Sequence, residues 1–156
     1  MKKLYATALT VFVVICIFMR EASPVLAQRP EGRDFGFGLV FVEPLGGTVK
    51  YWTKPDEAIV GTIGSSRFGD PRLGVDYAWH FNAFRSDVVN LYAAPGMVFG
   101  LGRSPDDEVG IRGVLGVNVV PRSSPMEMFL EMGPLFELTP GRGTSFDLGL
   151  GLRFYP

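Results

Sequence analysis

Ser145-Phe146-Asp147-Leu148-Gly149-Leu150-Gly151-Leu152-Arg153-Phe154-Tyr155 is the stretch on which the reading of this chain turns. Successive side chains of a β-strand point to opposite faces. Phe146, Leu148, Leu150, Leu152 and Phe154 therefore share one face, and Ser145, Asp147, Gly149, Gly151, Arg153 and Tyr155 share the other. One side is large and apolar, the other small or charged.

The same period of two recurs upstream, and no stretch after residue 34 sustains a helical period of 3.6. Phe35, Phe37, Leu39 and Phe41 stand against Gly36 and Gly38. Leu73, Val75, Tyr77, Trp79 and Phe81 stand against Gly74, Asp76, Ala78 and His80. Val109, Ile111, Leu115, Val117 and Val119 oppose Gly110, Arg112, Gly116 and Asn118. Met126, Met128, Leu130, Met132, Phe136 and Leu138 oppose Glu127, Phe129, Glu131, Gly133 and Glu137. Residues 89–101 give a further clear strand, with Leu91, Met97 and Phe99 opposite Asn90, Tyr92, Gly96 and Gly100, and residues 48–53 and 58–65 give two less regular ones. That makes eight strands. Pro95 and Pro134 fall inside two of them, where each removes a ladder donor, so bulges or strand ends are expected there.

Connectors rich in Gly, Pro, Asn, Asp and Ser separate the strands, at residues 43–47, 54–56, 66–71, 82–87, 103–108, 121–125 and 139–144. Each is short enough for antiparallel neighbours, which predicts an up-and-down meander. No composition shift or solenoid-type repeat divides the chain.

The 156 residues are 47% apolar, 13% aromatic and 20% charged, which describes one folded domain and not a disordered chain. A balance of 15 Lys+Arg against 16 Asp+Glu carries no electrostatic footprint for nucleic acid. One Cys and one His exclude a disulfide framework and a multi-histidine or Cys-rich metal centre, so neither cofactor nor metal is expected.

Residues 1–27 have the three parts of a secretory leader: basic Lys2 and Lys3, an apolar run from Leu4 to Met19, and a polar exit ending Val25-Leu26-Ala27. The small residues at positions 25 and 27 predict cleavage between Ala27 and Gln28. The run is shorter than the roughly 20 residues a spanning helix needs. Cys16 lies within it, so the mature chain has no cysteine, and loss of Lys2, Lys3, Arg20 and Glu21 takes its formal charge from −1 to −3. A short polar arm over residues 28–34 then leads into a barrel domain over residues 35–156.

Alternation alone does not say which face meets water. The apolar faces sum to roughly 35 large side chains, whereas the inward residues of an eight-stranded barrel just fill its interior. The opposite faces, rich in Gly, Ala and Ser, suit a narrow bore. This predicts an all-β, eight-stranded antiparallel up-and-down transmembrane β-barrel after a cleaved signal peptide, placed in the outer membrane of a Gram-negative-type bacterium. Terminal Pro156 departs from the aromatic ending such barrels commonly have.

On this reading Lys50, Asp76, His80, Arg112, Asn118, Glu127, Glu131, Asp147 and Arg153 face the bore, with Glu137 near a loop. Ionised groups in so narrow a space must pair. A last hairpin turning around Gly141 sets Glu131 nearly opposite Arg153, with Arg112 a diagonal step away, so a plug of Arg112, Glu131 and Arg153 is expected. Tyr51, Trp52, Tyr77, Trp79, Tyr92, Phe154 and Tyr155 lie near strand ends, as a membrane-interface girdle requires. Catalysis is not expected: no Ser sits at a nucleophile elbow, and His80 with Asp76 four residues earlier reads as an ordinary buried histidine paired to Asp76 or to backbone. A narrow pore for ions or small solutes, and a soluble lipocalin-like carrier of a small hydrophobic ligand, are the alternatives.

The ordered pieces Glu43-Pro44 with Gly46 or Gly47, Lys50-Tyr51-Trp52, Asp76-Tyr77-Ala78-Trp79-His80, Gly110-Ile111-Arg112, Phe129-Leu130-Glu131 before Pro134, and Asp147 through Gly149, Gly151, Arg153 and Tyr155 span almost all of the mature chain. Together they resemble a family of small bacterial outer-membrane β-barrel proteins of undefined function, similar in architecture to the transmembrane domain of outer membrane protein A. The resemblance implies an outer-membrane barrel and no catalytic residues. Its partners would be outer-membrane lipid, the barrel-assembly machinery, and an extracellular partner reached through the short loops.

Overall fold

The computed structural model describes residues 30, 32–101, 108–121, 124–139 and 143–156. The expected leader and its cleavage site lie outside the described residues, as do parts of the connectors after residues 101, 121 and 139. Eight strands follow in order: β1 (Phe35–Glu43), β2 (Leu45–Trp52), β3 (Glu57–Ser66), β4 (Gly69–Phe81), β5 (Val89–Gly100), β6 (Glu108–Val119), β7 (Met126–Thr139) and β8 (Thr144–Phe154). Each pairs antiparallel with the next, and β8 returns to β1 through Phe37↔Phe154 to Glu43↔Leu148, so the sheet closes into a barrel with no free edge. The connectors at 53–56, 82–88 and 120–125 lie at the end that also carries Phe35 and Phe154. We call this the lower end and the opposite one the upper.

Two turns are tighter than the sequence suggests. Gly46 and Gly47 belong to β2, leaving Pro44 between the first two strands, and the Ser66↔Gly69 pair reduces the next upper turn to Arg67 and Phe68. Val42, a β-branched residue at φ 86°, turns its side chain outward at the end of β1.

The pairing fixes the stagger. One row of partners runs Arg153, Gly38, Thr48, Thr62, Gly74, Val98, Gly110, Glu137, and the Glu137 amide reaches the Gly143 carbonyl. The circuit leaves β8 at 153 and returns to it at 143, a shear of 10 residues. For eight strands this tilts each strand by about 40° from the axis.

Pro95 and Pro134 produce neither a bulge nor a strand end, contrary to the sequence expectation. β5 and β6 pair without interruption from Val89↔Val119 to Gly100↔Glu108, through Pro95↔Gly113. The β4–β5 register passes from Asp76↔Gly96 to Trp79↔Ala93, and the β6–β7 register from Arg112↔Leu135 to Leu115↔Met132, each skipping two rungs without a shift. A proline lacks only the N–H, so the rungs on either side hold the alignment. The real register shifts are at Gly64/Ser66 and Val109/Gly110.

The large apolar faces point outward. On β8 Phe146, Leu148, Leu150, Leu152 and Phe154 are all exposed, as are Met126, Met128, Leu130 and Met132 on β7 and Phe35, Phe37, Leu39 and Phe41 on β1. The alternate residues fill the bore.

Candidate functional site

The bore contains four cations, Lys50, Arg72, Arg112 and Arg153, and four carboxylates, Asp76, Glu127, Glu131 and Asp147, every one of them buried. The formal charges cancel. Their hydrogen bonds divide them into two layers.

The lower layer is centred on Glu127. Its Oε1 accepts from Lys50 Nζ at 2.8 Å, Asn118 Nδ2 at 3.0 Å and Arg153 Nη1 at 3.4 Å, and its Oε2 accepts from the Tyr155 hydroxyl. Lys50 Nζ also donates to His80 Nε2 at 2.9 Å. An ammonium can only donate, so Nε2 is the bare nitrogen and Nδ1 carries the proton toward the Asp56 carbonyl at 3.3 Å. The ring is packed between Trp52, at 4.4 Å centroid separation, and Tyr92, at 5.2 Å. Lys50 Nζ lies 4.1 Å from the Trp52 centroid and the Arg153 guanidinium 3.7 Å from that of Phe129, each a cation over a ring face.

The upper layer is a chain of alternating charge. Arg72 donates to Asp147 through both Nη1, at 3.1 Å, and Nη2. Asp147 Oδ2 also accepts from Arg112 Nη1 at 3.2 Å, and Arg112 grips Asp76 through Nε, at 2.7 Å, and Nη2. Glu131 stands 4.0 Å from Arg112 Nη2 and accepts from the Tyr92 hydroxyl at 2.7 Å. Phe68 folds from its turn into the upper mouth against Val98 and Leu135. Trp52, Ala58 and Tyr155 pack together at the lower one, where Arg33 Nη1 donates to the Tyr155 carbonyl at 2.6 Å.

Long side chains cross the bore over glycines. Arg112 and Asp76 lie in one register row with Gly96 between them, and a Cβ on Gly96 would sit 2.0 Å from Asp76 Oδ1. Tyr92 reaches Glu131 along a row through Gly116, where a Cβ would meet the ring at 2.2 Å. Arg153 reaches Thr48 Oγ1 at 3.2 Å past Gly38. Gly96 and Gly116 thus leave room for the Arg112–Asp76 and Tyr92–Glu131 contacts.

The structure places Lys50, Asp76, His80, Arg112, Glu127, Glu131, Asp147 and Arg153 in the bore, as expected, but changes their partners. Arg112, Glu131 and Arg153 do not form one plug. The last hairpin aligns Arg153 with Glu127 and Glu131 with Gly149, because its register centres one residue before Gly141, which moves every cross-strand partner by two. His80 is paired to backbone and Lys50, not to Asp76, which Arg112 holds. Of the expected girdle, Tyr51, Trp79 and Phe154 are exposed on the outer face, and Tyr77, half-buried, donates its hydroxyl to Glu57. Trp52 and Tyr155 are buried in the bore, as is Tyr92. Strand parity carries the correction: Trp52 shares a face with Lys50, and Tyr155 with Arg153.

Arg72 escapes the sequence reading because a connector running through Pro71 leaves it at the edge of a turn, whereas β4 starts at Gly69. Its alternation with Gly74 and Asp76 was the available signal. Asn90, both of whose side-chain polar atoms lack a hydrogen-bond partner among the described residues, faces Asn118, whose Oδ1 is likewise without one. Comparison with family models, with curated proteins and with solved structures found no match to this chain.

Proposed function

We propose that this chain is an outer-membrane barrel of a Gram-negative-type bacterium, exported on its leader, with a filled polar bore and a structural or surface-interaction role. The observation that carries the reading is the inversion of the soluble pattern. Apolar side chains occupy the outer face on every strand, from Leu39 at 56% exposed on β1 to Phe146 at 63% on β8, while all eight charges named above are inside. Soluble monomers rarely expose contiguous apolar patches beyond a few hundred Å². In hydrocarbon the same belt is favourable, and a closed barrel leaves no unpaired edge there.

Dimensions support it. β4 to β8 have 11 to 14 residues, and at about 3.3 Å per residue and a tilt of about 40° they rise roughly 30 Å. An apolar band of about 25 Å is what such barrels present to lipid. Salt-bridged side chains fill the bore and Phe68, Trp52 and Tyr155 close its mouths, which favours a plugged barrel over a narrow pore. A charged interior is also the wrong solvent for the hydrophobic ligand of a soluble carrier. Surface contacts would fall to the upper turns, where Arg67 is exposed. Lipid and the barrel-assembly machinery are the partners this location requires.

Fractionation of cells expressing the full chain tests the proposal, followed by gel mobility of the membrane fraction with and without boiling. Recovery in the outer membrane with a heat-dependent shift is expected; recovery as a soluble periplasmic species refutes it. Single-channel steps from the folded protein in planar bilayers would overturn the plugged bore.

A further inference from the structure

The two prolines inside strands fall at one place. In an antiparallel strand the N–H and C=O of a residue point to the same side, alternating along the chain. Pro95 pairs with Gly113 on its β6 side, while the rungs Tyr77/Pro95 and Ala78/Ala94 are missing on its β4 side, so its absent N–H faces β4. Pro134 pairs with Phe146 on its β8 side, while Gly113/Pro134 and Val114/Gly133 are missing, so its absent N–H faces β6. The carbonyls of Tyr77 and Gly113 therefore have no ladder donor opposite them. Ala94, Pro95, Gly113 and Val114 are paired with one another, and each outer flank of this group lacks one donor. The β5–β6 hairpin crosses the barrel wall as a panel with a weakened seam on each flank, at one level.

Two side chains cross these seams inside the bore. One row above, Arg112 on β6 passes over Gly96 of β5 to hold Asp76 of β4, and its other amino group reaches Asp147 on β8. It spans the β4–β5 seam directly and ties β6 to the far side of β7. Two rows below, Tyr92 on β5 passes over Gly116 of β6 to Glu131 of β7, crossing the β6–β7 seam. Behind the seam itself the inner face is apolar, with Val60, Ala78, Ala94 and Val114 in contact.

We propose that the Arg112–Asp76 and Tyr92–Glu131 contacts are transverse braces that hold the β5–β6 panel closed where its prolines have removed ladder hydrogen bonds. The bore charges then serve the integrity of the wall and not the passage of a solute. The inference rests on the closed barrel and its register, not on membrane insertion, so failure of the localisation test leaves it standing and its own failure leaves localisation untouched.

Amide exchange of the full barrel refolded in detergent micelles tests it, in a cycle that combines brace and seam variants. Arg112→Met with Asp76→Asn removes one brace while keeping the bore neutral. Exchange in segments 93–97 and 111–115 is expected to quicken roughly tenfold, a factor equivalent to about one net hydrogen bond, with residues 37–41 of β1 unchanged. Restoring the missing donors with Pro95→Ala and Pro134→Ala should shrink that acceleration to about threefold or less, because the ladder then does the brace's work. Equal acceleration in both backgrounds overturns the proposal, as does uniform acceleration in every strand. Tyr92→Phe removes a single hydroxyl from the second brace and runs through the same cycle if the first variant does not refold.

Discussion

Replacing Glu127 by Gln probes the most heavily used group in the bore. Its carboxylate is the shared partner of Lys50, Arg153, Asn118 and Tyr155, and the two cations are almost fully buried. The Glu127→Gln change leaves both without a counter-charge. Removing one partner of a buried pair typically costs about 3–5 kcal/mol, against a total stability of about 5–15 kcal/mol. Lys50→Met alone leaves Glu127 matched to Arg153 and takes the donor from His80 Nε2, an orphaned acceptor worth about 1–3 kcal/mol. The two effects do not add. In the Glu127→Gln background Lys50 is a stranded ammonium, so Lys50→Met there should raise stability by about 1–2 kcal/mol where in the native barrel it lowers it. Urea unfolding of the micelle-embedded barrel, followed by tryptophan emission, reads this out, since Trp52 lies against Lys50 Nζ. Lys50→Met destabilising the Glu127→Gln barrel as much as the native one would refute the charge-pairing account.

Three further outcomes are expected. Gly96→Ala and Gly116→Ala should abolish the folded, fast-migrating gel band, because a Cβ would sit 2.0 Å from Asp76 Oδ1 and 2.2 Å from the Tyr92 ring, whereas Gly113→Ala, with nothing within 4 Å of its Cβ, should fold normally. Asn90→Leu should be neutral or stabilising by up to about 1 kcal/mol in the same urea assay, since it replaces two buried polar atoms that no described protein group satisfies with apolar ones of similar volume. Leu150→Arg, on the outer face, should cost about 2–4 kcal/mol of barrel stability in a bilayer; an unchanged midpoint in lipid vesicles would mean that this face does not meet hydrocarbon.

Much of the barrel is legible in the chain because its outer face is monotonous. Phe146 to Phe154 on β8 and Met126 to Met132 on β7 alternate without a lapse, and each such strand announces its own parity. The bore residues followed from that parity, Lys50, Asp76, Arg112 and Asp147 among them. Where a functional label was set by residue type instead, it failed: Trp52 and Tyr155 are aromatic and near strand ends, yet their parity with Lys50 and Arg153 puts them inside. Arg72 failed for a different reason. Pro71 looks like the end of a turn, and only the pairing across Ser66↔Gly69 extends β4 far enough to carry an arginine inward.

The chain by itself determined the number of strands, their antiparallel order and which side chains share a face, since each depends on residues two apart or on a turn a few residues long. Who pairs with whom was decided only in three dimensions. A shear of 10 residues and the closure of each hairpin bring Glu127 opposite Arg153, Arg112 over Gly96 to Asp76, and two prolines 39 positions apart onto neighbouring seams. A displacement of two residues in one turn would leave every strand and every face as it is, and would exchange the partners that meet across that hairpin.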